Sequence, residues 1–172
     1  MTSNQVQIVQ GERAVGAHPD MIVMTILGSC VSCCLWDPVA NVGGMNHMLV
    51  TTSKTNDVAC SLAGINAMEL LINDILKIGG RRDRLRAKAF GGAKMVSGLS
   101  DIGAQNCAFT LDYLAKEGIQ CDGHSLGGSQ ARHIKFWPAT GKVLKKATRE
   151  SMEDPVIRPL LVVPEGNGLE LF

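Results

Sequence analysis

The chain has 172 residues, 45% of them apolar and 19% charged, with 17 Lys and Arg against 16 Asp and Glu. That length and balance describe one globular domain with its own core and exclude a disordered segment. The formal net charge of +1 argues against nucleic acid or an anionic membrane surface as a partner.

The opening MTSNQVQIVQ lacks the apolar centre of a signal peptide. No apolar run approaches the ~20 residues of a transmembrane helix, so no membrane insertion is expected. The six cysteines, at 30, 33, 34, 60, 107 and 121, are therefore expected as reduced thiols of a cytoplasmic protein and not as a disulfide framework.

Val6 to Val9 alternates weakly and reads as a first strand, with Ala14 to Ala17 as a short second one. His18-Pro19-Asp20 breaks the chain. Met21 to Leu27 is almost continuously apolar and β-branched, which suits a strand buried on both faces. Val31 to Trp36 and Gly43 to Val50 read as two further strands. The turn between them carries Asp37-Pro38, Asn41 and Gly43, residues that fix or tolerate turn conformations. Pairing across that turn brings Cys30 and His47 to the same end of an antiparallel hairpin.

Asn56 or Asp57 caps a helix to about Lys77, with Leu62, Ile65, Met68, Ile72, Ile75 and Leu76 on its buried face and Gly79-Gly80 as its stop. Arg82, Arg84, Arg86 and Lys88 alternate with Asp83, Leu85, Ala87 and Ala89 at strand period. This basic row is either a solvated sheet face or a docking stripe for an acidic partner. A second helix runs from about Gly103 to Lys116, with Ala104, Cys107, Ala108, Leu111, Leu114 and Ala115 inward. Ile119 to Cys121, Arg132 to Trp137 and Lys142 to Ala147 complete the strands. Residues 1–149 form the domain and 150–172 a C-terminal extension, ordered in part by Leu160 to Val163.

A cysteine in an apolar sequence commonly packs a core. Cys30, however, follows Gly28-Ser29 where one strand gives way to the next, and a thiol beside an imidazole is the minimal activated nucleophile. His47, flanked by apolar neighbours, is either a satisfied core histidine or the base for Cys30. The spacing Cys30-x-x-Cys33 falls in a strand-like run, not at the helix N-terminus that a redox dithiol favours. A zinc site would need a second pair, which Cys60, Cys107 and Cys121 do not supply, so no metal is expected. Phe90-Gly91-Gly92-Ala93 and Leu126-Gly127-Gly128-Ser129 lack the spacing of phosphate-binding loops, and turns explain them. No cofactor is called for.

The order LGSCV, WDP, GGMNHMLV, INAMELLINDILKIGG, AKAFGGAKM, IGAQN, LAKEGI and LGGSQAR resembles the CheD family, chemoreceptor glutamine deamidases of bacterial and archaeal chemotaxis. The likeness extends from about Val6 to Lys146. It implies an α/β fold, a layered α-β-β sandwich of mostly antiparallel strands with two main helices. It also implies Cys30 as nucleophile and His47 as base. The family's third member is a threonine usually six residues before the cysteine. That position holds Met24 here, with Thr25 beside it: either Thr25 takes the role after a small change of register, and is assigned it, or no residue does.

Gly28 and Ser29, with Gly127 and Gly128, are assigned to the oxyanion and substrate loop. The implied reaction converts glutamine side chains of methyl-accepting chemotaxis receptors to glutamate, with release of ammonia through a thioester. A CheC-type phosphatase is an implied partner. The resemblance leaves open a regulatory binding role toward such a phosphatase, or a general thiol amidohydrolase.

Overall fold

The computed structural model describes residues 4–50, 57–95, 101–148 and 169–172. In chain order the elements are β1 (Gln5–Gln7), β2 (Arg13–Gly16), β3 (Ile22–Leu27), β4 (Val31–Asp37), β5 (Val42–Asn46), α1 (Asp57–Lys77), β6 (Arg86–Gly91) and α2 (Ile102–Lys116). They are followed by β7 (Gln120–Leu126), β8 (Arg132–Trp137), β9 (Lys142–Ala147) and β10 (Leu169–Leu171).

The strands form two five-stranded sheets, ordered β1-β3-β8-β9-β10 and β2-β5-β4-β6-β7. Only β1/β3 and β6/β7 pair in parallel. Both helices pack on the second sheet, α1 against β2, β4 and β5, and α2 against β4, β6 and β7. The layers are therefore helices, second sheet, first sheet: the α-β-β sandwich expected from the resemblance.

The second sheet, covered on both sides, has two cores. Val31, Cys33 and Leu35 of β4 face the helices with Met68, Leu71, Ile72, Ile75 and Leu114. Cys30, Cys34 and Trp36 face the first sheet with Val23, Leu27, Phe90, Ile134 and Phe136. This alternation is the period of two that a pleated strand imposes.

The structure corrects several sequence expectations. Strand β3 is buried on one face, with Val23, Thr25 and Leu27 inward and Ile26 38% exposed. The outer face of the first sheet carries no helix among the described residues, so the strand buried on both sides is β4. On α1 the buried stripe runs through Gly64, Met68, Leu71, Ile72 and Ile75, while Leu62 and Ile65 face outward. The inward face of α2 is rotated by about one residue. It presents Asn106, Thr110, Tyr113 and Leu114, and leaves Ala104, Ala108, Leu111 and Ala115 exposed. Two buried polar side chains on that face defeat a purely apolar reading.

The basic row is a strand only over its second half. Residues Arg82–Arg84 form one 3-10 turn. Arg82 binds Glu69 and Glu117, Arg84 binds Asp37, and Arg86 binds Asp122. Lys88 donates to Gly141 O and lies over the Trp36 ring. The cations are engaged within the chain. Strand β7 extends well beyond Cys121 because it is a sheet edge whose exposed face is polar. Strand β10 pairs with β9, and Phe172 stacks edge-on against Phe90 at 5.4 Å. The expected cap at Asn56 and the run Leu160 to Val163 lie outside the described residues. Among those residues, no helix is long and apolar enough to cross a membrane.

Candidate active site

Three loops and strand ends converge between the two sheets. The turn at Asp37 works as its residues suggest: the Asp37 carboxylate accepts from the N–H groups of Val39 and Ala40. The hairpin register Asp37↔Val42, Trp36↔Gly43, Leu35↔Gly44, Cys34↔Met45 continues to Val31↔Met48. Val31 and Met48 exchange both backbone hydrogen bonds, at 2.9 and 2.7 Å. In that register Cys30 opposes Leu49, and His47 opposes Ser32. Cys30 and His47 are thus diagonal neighbours on the face turned toward the first sheet, a relation typically spanning ~7–8 Å. Both are buried, at 9% and 8% exposure.

Thr25 reaches them from the opposite sheet. In β3 it is an inward residue, 3% exposed, while Met24 before it points to the other face. Thr25 Oγ1 lies 2.8 Å from His47 Nδ1 and donates to Ile8 O, also at 2.8 Å. A hydroxyl has one proton. With that proton on Ile8 O, Thr25 accepts from His47, so Nδ1 carries the imidazole hydrogen. Nε2 is left with its lone pair, the tautomer a general base needs. Thr25 therefore meets His47 without any shift of register.

The loop around Cys30 is held by its carbonyls. Gly92 N donates to Cys30 O at 2.8 Å and Ala93 N to Gly28 O at 2.9 Å. Asn106 Nδ2 donates to Ser29 O at 2.8 Å, and its Oδ1 accepts from Val50 N at 3.1 Å. One fully buried amide thus ties the cysteine loop to the chain just beyond His47. The Gly91 φ of +109° suits glycine alone, and a β-carbon there would overlap the Cys30 carbonyl. The glycine pair at 91–92 therefore serves close backbone approach.

Among the described residues, none accepts a hydrogen bond from the N–H groups of Ser29 and Cys30. Gly127 and Gly128 stand one shell farther out. Gly127 N donates to Gly91 O, Lys94 N donates to Gly128 O, and the buried Arg132 guanidinium ties Gly91 O to Gly127 O. They buttress the strand that holds Cys30 and do not themselves meet it.

The electrostatics differ from those of a thiolate–imidazolium pair. Burial pushes the Cys30 thiol up to about 11. Burial also pushes His47 down to about 4, against a smaller upward pull from the Glu12 carboxylate. Both groups are neutral near pH 7, because desolvation of each charge outweighs what a partner returns. The Cys30 thiol hydrogen bond runs to Gln10 Oε1, at 3.8 Å, and not to His47. Gln10 had no signal in the sequence beyond the Gln-Gly dipeptide, a turn former. Asn106 had none, since a polar residue in a helix ordinarily faces water.

A cleft of about 230 Å3 opens beside the site, with Gln10, Glu12, His47, Ala63, Ala67 and Leu70 among its lining. Cys33 and Cys34 are fully buried in β4, and burial raises both thiols. They fill the strand.

Several known proteins are similar to this chain. The family described as CheD chemotactic sensory transduction matches residues 48–147. A probable chemoreceptor glutamine deamidase CheD of Acidiphilium cryptum (strain JF-5) is 45% identical over 179 residues, covering 99% of this chain and 94% of that protein. The protein of the same description from Rhizobium rhizogenes (strain K84 / ATCC BAA-868) is 48% identical over 182 residues, covering 99% and 97%. That from Rhizobium leguminosarum bv. trifolii (strain WSM2304) is 50% identical over 143 residues, covering 81% and 78%. Sequence identity at this level along nearly the whole chain places the protein in the CheD family.

Proposed function

We propose that this protein hydrolyses glutamine side chains of chemotaxis receptors to glutamate and ammonia, with Cys30 as nucleophile, His47 as general base and acid, and Thr25 as the group that orients His47. The observation that carries the reading is the Thr25–His47 contact, whose bonding to Ile8 O leaves His47 Nε2 unprotonated on the sheet face that also carries Cys30. The CheD relatives, named as chemoreceptor glutamine deamidases, supply the substrate.

The chemistry balances on these residues. His47 Nε2 takes the Cys30 proton as sulfur attacks the carboxamide carbon. The N–H groups of Ser29 and Cys30 receive the oxyanion, each such donor being worth about 3 kcal/mol. His47 returns the proton to the departing nitrogen, the C–N bond breaks, and ammonia leaves a thioester. Water then attacks the thioester, His47 takes its proton, and the C–S bond breaks to give glutamate and the thiol. Nδ1–H stays on Thr25 throughout, so a single nitrogen shuttles every proton. Because both groups start neutral, proton transfer accompanies attack and does not precede it.

The test is ammonia release, with a mass gain of about one unit per glutamine, on the chemoreceptors of the source organism. Wild type should show it and folded Cys30→Ala should not. Unchanged release by folded Cys30→Ala would refute the assignment.

A further inference from the structure

We propose that Gln10 is a resident stand-in for the substrate glutamine, occupying the ground in front of Cys30 until an incoming carboxamide displaces it. The inference rests on the deamidase reading of the site.

Gln10 is presented by a built turn. Glu12 N donates to Val9 O at 2.9 Å, Val9 N donates to Glu12 Oε2 at 2.9 Å, and Gly11 takes φ +87°. Those features put Gln10 at the second position of a turn that needs glycine third. The turn is clamped to the catalytic histidine by its backbone: Gly11 N donates to His47 O at 2.9 Å and His47 N to Glu12 O at 3.0 Å. Gln10 itself is solvent-exposed, whereas the sulfur it covers is buried. Its side chain then delivers a primary carboxamide, the same group as the substrate's, to Cys30 Sγ at 3.8 Å.

The pose is unproductive. The thiol donates its proton to the Gln10 oxygen, where turnover requires that proton to go to His47. An attacked amide would instead turn its oxygen toward the N–H groups of Ser29 and Cys30. Gln10 therefore occupies the thiol without being consumed. Displacing it requires only that the substrate glutamine compete with an exposed side chain on a local turn. A site open for only part of the time binds substrate more weakly by that fraction.

The experiment is the rate of Cys30 alkylation by iodoacetamide, itself a primary amide, followed by peptide mass spectrometry in wild type, Gln10→Ala and Gln10→Glu. Gln10→Ala should react at least threefold faster than wild type at every pH. Gln10→Glu should react more slowly, because a carboxylate beside the thiol opposes the thiolate. Equal rates in all three overturn the proposal. In parallel, ammonia release by Gln10→Ala should show a lowered KM for the receptor. Faster alkylation with no ammonia release from any variant would uphold the cover and refute the deamidase reading. Ammonia release with unchanged KM and unchanged alkylation would refute the cover alone.

Discussion

Raising pH in steps while alkylating Cys30 tests the charge state of the resting site. With its thiol pushed up to about 11, Cys30 at pH 7.5 is thiolate in roughly 3 molecules per 10,000, against about 1 in 10 for a free thiol near ~8.5. The thiolate deficit is therefore about 300-fold. A more basic thiolate is a better nucleophile, with a Brønsted slope of ~0.4–0.5, which returns roughly a factor of 13. The net expectation is a reaction about 20-fold slower than that of a free thiol, before any shielding by Gln10. The logarithm of the rate should climb with unit slope from pH 6 to about 10. With His47 held neutral down to about pH 4, His47→Ala removes no cation and should leave that slope intact.

Peptide-resolved mass spectrometry is the suitable assay, because the chain holds six cysteines. A rate plateau at neutral pH that disappears in His47→Ala would show a preformed thiolate–imidazolium pair. Charge pairing, and not desolvation, would then govern the resting site.

Thr25→Val keeps the shape of the side chain but removes the acceptor for Nδ1–H. Turnover should fall ten- to a hundredfold with the fold intact by circular dichroism, and Thr25→Ser should recover most of it. Asn106→Ala leaves Ser29 O and Val50 N without their partner. With each buried unpaired group costing about 1–3 kcal/mol, denaturant melts should show a loss of several kcal/mol and activity should drop with it. Ser32 Oγ is buried and has no hydrogen-bond partner among the described residues, so Ser32→Ala should be neutral or stabilising by up to about 1–2 kcal/mol in the same melts. His47 binds its proton in the unfolded chain near ~6.5 but in the folded chain only near 4. Stability should therefore fall by about 3 kcal/mol as pH drops from 6.5 to 4, and His47→Gln should flatten that fall.

The hairpin and the placement of Cys30 and His47 at one end of it were legible because turn chemistry fixes register. Asp37, Pro38 and the glycines beyond locate the bend, and counting outward from it places Cys30 and His47 at one end. The strand period also put Thr25 and Met24 on opposite faces, though only the position of the first sheet says which face is inward. Burial of β3 and β4 was harder to read. Both are apolar runs, and which one lies between two layers depends on where the helices pack. The α2 face failed for a related reason: Asn106 is inward to satisfy two backbone groups far away in sequence, a need that no local pattern carries. The ion pairs of the basic row could not be read because Glu69, Asp37, Glu117 and Asp122, its partners, are all distant in the chain.

What the fold adds is the division of the site between layers. Cys30 and His47 belong to the second sheet and Thr25 to the first, so the contact that fixes the imidazole tautomer spans the inter-sheet core. Leu27, Phe90 and Ile134 pack in that inter-sheet core, and burial there holds thiol and imidazole neutral. A neutral dyad is a weak nucleophile at rest. Under the proposed mechanism the sulfur attacks an amide only when the carboxamide oxygen is set against the N–H groups of Ser29 and Cys30, which gives the transferred charge somewhere to go. Under the same proposal attack, proton transfer to Nε2 and oxyanion capture are coupled, and a bound group lacking an oxygen at those N–H groups completes none of them.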